Sequence, residues 1–136
     1  MTDFRHVTDD FSAAPQISLA DVAEARRRGF MAIICNRPDG EDPGQPSAAE
    51  IAAAAEAAGL TYAPIPVRGA PGPAEVEAMR QAVDAASGPV LAYCRSGTRS
   101  ITTWAIGQAM SGAMERGELV ALGREAGYDL SGVLGG

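Results

Sequence analysis

Short apolar runs alternate with helical segments along most of this chain, and this alternation restricts its fold more than any other feature. FMAIIC suits a strand that is covered on both faces, and LTYAPIPV and PVLAY also predict strands. Two of the helical segments begin at Ser18 and Ser47, and each serine has an acid three residues later, as in a capping box. The alternation predicts right-handed crossovers and a mostly parallel sheet.

The remaining segments extend the same pattern. FRHVTDDFSAAP predicts one or two short strands, and helices are predicted over PAEVEAMRQAVDAASG, SITTWAIGQAMSGA and ERGELVALGREAGY, the second beginning at Ser100. Parallel sheets bind ligands beyond the carboxyl ends of their strands. Two loops follow strands at that edge: residues 36–46, termed the acidic loop, and residues 94–99, termed the cysteine loop.

The composition favours a single domain over residues 1–136, long enough to bury a core without metal or disulfide. Its 11 basic and 17 acidic side chains give a formal net charge of −6, which argues against nucleic acid as a partner. With no run of 18 apolar residues and no signal-peptide core in MTDFRHVTDD, we expect a cytoplasmic protein without a membrane partner. Two cysteines and one histidine predict neither a metal site nor a cofactor, and the oligomeric state stays open.

The stretch VLAYCRSGTRS carries the most specific chemistry. Cys94 ends a predicted strand and Ser100 begins a predicted helix, so the loop between them lies at a helix N-terminus. Backbone N–H groups there favour a bound anion, and together with Arg95 and Arg99 they favour the thiolate form of the cysteine. A cysteine at a strand end is more often a buried apolar side chain, but this combination is much rarer. We therefore predict that Cys94 is a nucleophile.

The other residues of the cysteine loop are predicted to bind the anion. Gly97 allows the backbone to curl so that successive N–H groups face inward. Arg99 carries a planar fork that matches two oxygens of a tetrahedral anion, and we predict a catalytic role for it. The remaining candidates supply a cation or a hydroxyl group: Arg95, Ser96, Thr98 and Ser100. Ser100 either stabilises the cysteine as a leaving thiolate or caps the helix.

The acidic loop offers a second cation and candidate proton donors. Arg37 either adds positive charge to the anion pocket or forms a structural ion pair, and the sequence leaves both open. Asp39 or Glu41 could supply a general acid, although turn formation and solvation are commoner roles for such residues. Cys35 ends the run FMAIIC and is interpreted as a core thiol. Whether it pairs with Cys94 stays open.

These residues resemble the phosphatase-like domain family first named for bacterial beta-lactamase-hydrolase-like proteins, which is also classed as a sulfur-transferase family. The resemblance rests on FSAAPQIS, NRPDGEDPGQPSAAE, PIPV and YCRSGTRS. It implies an α/β fold like that of protein-tyrosine and dual-specificity phosphatases, with a central, mainly parallel sheet flanked by helices.

Three departures from the protein-phosphatase pattern stand out. Cys94 and Arg99 are separated by four residues, where protein phosphatases have five. Tyr93 precedes the cysteine in place of the usual histidine, and residues 67–70 lack the usual general-acid aspartate. The shorter loop beginning Cys-Arg-Ser-Gly resembles the active loop of rhodanese-type sulfurtransferases.

Three functions are consistent with these residues. The first is transfer of sulfane sulfur through a Cys94 persulfide, which requires no acid to protonate a leaving group. The second is phosphomonoester hydrolysis by Cys94 and Arg99, where Asp39 or another acid would contribute roughly 10²–10⁴-fold. The third is an anion-binding module without turnover. The expected partner is a small anionic or sulfane-sulfur compound, or a phosphorylated substrate.

Overall fold

The structure, a computed structural model, describes residues 2–134. Within that range the strands are β1 (Arg5–Thr8), β2 (Phe11–Ala14), β3 (Ala32–Cys35), β4 (Thr61–Pro64) and β5 (Val90–Tyr93). The helices are α1 (Leu19–Arg27), α2 (Ala48–Ala57), α3 (Pro73–Ala85), α4 (Thr98–Met110), α5 (Arg116–Ala126) and α6 (Ser131–Leu134).

The strands form one sheet in the order β1-β2-β5-β3-β4. β1 pairs antiparallel with β2, and every other pair is parallel, which confirms the predicted mainly parallel sheet. Cys35 at the end of β3 lies in register with Tyr93 at the end of β5. The acidic loop and the cysteine loop therefore leave the sheet side by side.

The first two helices begin as their sequences predict. Ser18 accepts a hydrogen bond from the N–H of Asp21, whose carboxylate accepts one from the N–H of Ser18. Ser47 and Glu50 form the same reciprocal pair at the start of α2. Each capping box satisfies two N–H groups that have no partner within the helix, and so it fixes where the helix begins.

Both faces of the central strands β3 and β5 are buried. Ile33 and Leu91 point into one apolar cluster, while their chain neighbours Ile34 and Ala92 point into another. This alternation explains why β3 and β5 are apolar at every position. Trp104 on α4 stacks on Phe11 of β2, with ring centroids 4.8 Å apart, so the helix after the cysteine loop is anchored directly to the sheet.

One boundary and one helix differ from the sequence-based expectation. α4 begins at Thr98 and not at Ser100, because Gly97 adopts a left-handed conformation (φ 94°) that turns the chain into the helix two residues earlier. α6 was not predicted from the sequence. Within residues 2–134, no helix has both the length and the apolar character required to cross a bilayer.

Candidate active site

Cys94 follows β5 directly and lies at the base of the cysteine loop. Its side chain is fully buried, and its Sγ accepts a hydrogen bond from the N–H of Gly97 at 3.0 Å. The N–H of Cys94 donates to the carbonyl of Ala14 on β2, which fixes the cysteine to the sheet. The loop thus curls over its own sulfur, and an N–H group that faces inward stabilises negative charge on it.

Gly97 allows this curl for two reasons. Its left-handed backbone is strained for residues that carry a side chain, and a Cβ at this position would collide with the hydroxyl oxygen of Tyr128. The Tyr128 hydroxyl donates to the carbonyl of Ser96 at 3.0 Å, which holds the cysteine loop from the side of α5. Tyr128 is a site residue that sequence reasoning missed. It lies 32 residues beyond Ser96, and only the packing of α5 brings the two together.

The first turn of α4 has backbone donors without a partner inside the helix. The N–H of Ile101 makes the first bond within the helix, to Gly97, so those of Arg99 and Ser100 have no carbonyl partner in their own helix. The Ser100 hydroxyl is fully buried and has no hydrogen-bond partner among the described residues. Because a buried polar group without a partner is unfavourable, a hydrogen-bond partner bound near this hydroxyl would be stabilising.

Arg99 is held at one end and open along one edge. Its Nη1 donates to Glu41 Oε2 and to the carbonyl of Val67, both at 2.8 Å, and its Nη2 donates to Glu41 Oε1 at 2.8 Å. These bonds use three of its five N–H groups. The Nε–H and the second Nη2–H remain, and they lie on the same edge of the guanidinium. That edge can bind two oxygens of an anion side by side.

Glu41 is the carboxylate that orients Arg99. The Arg99 hydrogen bonds, together with the one from Arg37, hold the pKa of Glu41 at about 2, although partial burial opposes this shift. The pKa of Arg99 is raised in return, chiefly by Glu41 and further by Cys94. Glu41 is therefore ionised near neutral pH and has no proton to donate to a leaving group.

Arg37 is the centre of an ion-pair network beneath the acidic loop. Its side chain is only 4% exposed. Its Nε donates to Glu41 at 2.9 Å, its Nη1 to Gln16 at 3.0 Å, and its Nη2 to Asp42 at 2.7 Å. These contacts agree with a structural ion pair, one of the two roles that the sequence left open for Arg37. Direct binding of an anion by Arg37 stays a prediction.

Asp39 and Arg95 lie at the outer side of the site. The Asp39 carboxylate accepts the N–H of Ala48 at 2.8 Å, so it contributes to the N-terminus of α2. Its role as a general acid stays a prediction. Arg95 is 65% exposed, and its Nε lies 3.7 Å from Asp42 of the acidic loop.

The hydroxyl groups of Ser96 and Thr98 form an exposed pair. Ser96 donates to the Thr98 hydroxyl at 3.0 Å, and the N–H of Thr98 lies 3.4 Å from the Ser96 oxygen. These contacts stabilise the outer turn of the cysteine loop, and binding of an anion by either hydroxyl stays a prediction.

Cys35 lies at the end of the neighbouring strand as a free thiol. It is 3% exposed, and its S–H donates to the carbonyl of Arg37 at 3.3 Å. Cys94 is also a free thiol. Among residues 2–134, no group of three or more His, Cys, Asp or Glu side chains is arranged to hold a metal ion.

Comparison with known proteins identifies the family of this chain. Residues 3–111 match the family model of the beta-lactamase hydrolase-like protein, phosphatase-like domain. The chain belongs to this family. It is 38% identical over 125 residues to a beta-lactamase hydrolase-like protein of Agrobacterium fabrum, covering 91% of this chain and 29% of that protein. The chain thus spans less than a third of the length of this relative.

Solved structures establish the fold. A "putative phosphatase" from Neisseria meningitidis superposes with a TM-score of 0.87 and 34% identity, over 99% of this chain and 96% of that one. The kinase associated phosphatase, whose crystal structure carries a substitution of the catalytic-site cysteine, superposes with a TM-score of 0.67 and 15% identity, over 93% and 83% of the two chains. The fold is that of protein-tyrosine and dual-specificity phosphatases, as the resemblance implied.

Proposed function

We propose that this domain transfers sulfane sulfur through a persulfide on Cys94. The observation that carries the proposal is the state of Glu41: the carboxylate bound to the arginine of the cysteine loop is ionised and engaged by two arginines. Residues 67–70, which follow β4, contain no acid either. Sulfur transfer proceeds without protonation of a leaving group, so this donor set is sufficient for it.

The reaction has two balanced steps. The Cys94 thiolate attacks the outer sulfur of a donor such as thiosulfate, the donor's sulfur–sulfur bond breaks, and sulfite leaves with the bonding electron pair. An acceptor thiolate then attacks the outer sulfur of the Cys94 persulfide and regenerates the thiolate. The N–H of Gly97 and the open edge of Arg99 stabilise the negative charge on the cysteine and on the donor.

The size of the loop supports the same assignment. Six residues, Cys94 to Arg99, close the ring, and the Gly97 N–H lies 3.0 Å from the sulfur. This ring is one residue shorter than that of the protein phosphatases. A tight ring favours a persulfide, in which one sulfur atom is added to the cysteine, over a phosphocysteine, in which a phosphoryl group with three terminal oxygens is added.

Steady-state turnover tests the proposal. We expect the protein to release sulfite from thiosulfate when a thiol acceptor is present, and Cys94→Ser to abolish release. Cys35→Ser is the matched control, because it changes the other buried thiol while leaving the cysteine loop intact. Sulfite release that survives Cys94→Ser, or its absence from the wild-type protein, would refute the assignment.

Phosphomonoester hydrolysis is the second candidate. It is favoured by the 34% identity, over almost the full chain, to a protein described as a "putative phosphatase". In this reaction Cys94 attacks phosphorus, Arg99 binds two oxygens, and Asp39 or another acid protonates the leaving oxygen. Turnover of an aryl phosphate that requires Cys94, without sulfite release from thiosulfate, would select this function. Binding of both anions without turnover would select an anion-binding module.

A further inference from the structure

An apolar cavity lies beside the cysteine loop. Its volume is about 420 Å³, within the range of small-ligand pockets. Residues 69–71 after β4 form one wall, and Thr98, Arg99 and Ile106 of α4 form another. Val133 of α6 closes the third side and is 47% exposed.

The cavity and the cysteine loop share two residues, Thr98 and Arg99. Arg99 lines the cavity, and the same guanidinium presents its open edge for an anion while Glu41 holds its other end. Among the lining residues, all within the described part of the chain, Arg99 alone carries a charge. A ligand that lies across this boundary would therefore combine an anionic end with an uncharged, apolar body.

The wall formed by α6 lies outside both the cysteine loop and the residues that match the family model. The family model ends at residue 111, whereas Val133 lies beyond it. A small inorganic anion held at Cys94 would leave the apolar surfaces of Ile106 and Val133 in contact with water. An apolar group placed against them removes that surface from water, which favours binding.

We infer that this cavity binds the apolar body of an organic sulfane-sulfur donor, an aryl or alkyl thiosulfonate (R–SO₂–S⁻), whose anionic end lies in the cysteine loop. The donor class rests on the proposed function, whereas the cavity rests on its own geometry. The Cys94 thiolate attacks the terminal sulfur, the sulfur–sulfur bond of the donor breaks, and the sulfinate R–SO₂⁻ leaves with the electron pair. Charge balances, and the step requires no proton.

Binding of unreactive probes tests the cavity independently of turnover. Benzenesulfonate and inorganic sulfate are titrated into ¹⁵N-labelled protein, and the amide of Gly97 reports occupation of the loop. We expect benzenesulfonate to bind at least about tenfold more tightly than sulfate, because its ring fills an apolar cavity. Equal affinities would overturn the inference, as would benzenesulfonate binding that leaves the Gly97 amide unchanged.

A bulky substitution at the cavity supplies the matched comparison. Val133→Trp should fill the cavity and bring the ratio of the affinities for benzenesulfonate and sulfate close to one. Sulfate binding should be retained. Leu19→Trp on α1 is the control, since Leu19 is 51% exposed and does not line the cavity. Ala70→Trp on the opposite wall repeats the test should Val133→Trp lower the melting temperature. A preference that survives both cavity variants would refute the inference.

Turnover then separates the cavity from the reaction. With benzenethiosulfonate and thiosulfate as donors, Val133→Trp should lower kcat/KM for the organic donor at least about tenfold and leave that for thiosulfate unchanged. Preferred binding of benzenesulfonate without persulfide formation from either donor would retain the cavity and refute both sulfur transfer and the donor class. Efficient turnover of thiosulfate with equal binding of both probes would retain sulfur transfer and refute the cavity.

Discussion

We propose that Arg99 uses two edges of one guanidinium for two different tasks, one structural and one in anion binding. Glu41 and the Val67 carbonyl fix the Nη1 end, while the Nε edge makes no hydrogen bond with the described residues. A lysine at this position would keep one positive charge and lose both the fork and the fixed orientation. The residue thus connects the acidic loop to the chemistry of the cysteine loop.

Substituting Arg99 by lysine tests this division. We expect Arg99→Lys to lower kcat for sulfite release by about 10²–10³-fold, because a preorganised donor to developing charge is lost. Arg95→Lys is the control: Arg95 is 65% exposed, so its effect should be within a few-fold. Thermal melts accompany both assays. Wild-type turnover by Arg99→Lys, or loss of activity only through unfolding, would contradict the role of the open edge.

Glu41→Gln tests the carboxylate that orients Arg99. The pKa of Glu41 is lowered from 4.5 to about 2 in the folded protein, so its ionic contribution to stability is fully present above about pH 4.5. That contribution is lost as the pH falls toward 2. The free energy of unfolding of Glu41→Gln should therefore be lower than that of the wild type at pH 7. This difference between the two proteins should shrink as the pH falls from about 4.5 toward 2.

Urea unfolding at several pH values measures this difference. Glu77→Gln is the control, because Glu77 also pairs with an arginine, Arg80, but on the exposed surface of α3. Its effect on stability at pH 7 should be smaller, as expected for an exposed pair. A stability difference for Glu41→Gln that does not change from pH 7 to pH 3 would show that the Glu41 charge contributes nothing through Arg99.

At the scale of elements, the cysteine loop is held from two sides. The N–H of Gln16, which follows β2, donates to the carbonyl of Arg95 at 3.3 Å, and the Tyr128 hydroxyl beyond α5 donates to the Ser96 carbonyl. Gly97 lies where these supports meet and starts α4. The curvature of the loop is therefore a property of the surrounding elements as much as of its own six residues.

Gly97→Ala tests this arrangement. The left-handed backbone costs about 1–2 kcal/mol for alanine, and the new methyl group must also displace the Tyr128 hydroxyl. We expect a larger loss of stability than that and a loss of persulfide formation. Gly112→Ala is the matched control, since Gly112 also has a positive φ but a Cβ added there would meet no atom within 4 Å. Equal losses of stability in Gly97→Ala and Gly112→Ala, with persulfide formation retained in both, would contradict this role of Gly97.

At the scale of the whole molecule, local patterns predicted the elements, and packing determined the site. The capping serines and apolar runs act through neighbours in sequence, so the strand–helix order and the meeting of the two loops could be predicted. Glu41 and Arg99 are 58 residues apart, and nothing in either local pattern indicates that they pair. No local pattern indicates the contact between Tyr128 and Ser96 either. The start of α4 depends on the left-handed backbone of Gly97.

Trp104→Ala tests the packing that positions α4 and its first turn. Trp104 is 4% exposed and stacks on Phe11, so its truncation should lower the free energy of unfolding by about 3–5 kcal/mol. Leu19→Ala, at an exposed position, should change it by less than about 0.5 kcal/mol. Chemical denaturation measures both. A loss below about 1 kcal/mol for Trp104→Ala would show that the stack does not anchor the helix.

The most direct test of the central claim is the mass of the intact protein after exposure to each substrate class. Wild-type protein and the Cys35→Ser variant should gain the mass of one sulfur atom from thiosulfate, Cys94→Ser should gain nothing, and a subsequent thiol should remove the added sulfur. An aryl phosphate should leave the mass unchanged. A gain of one phosphoryl group on Cys94 from the aryl phosphate, with no sulfur gained from thiosulfate, would contradict sulfur transfer.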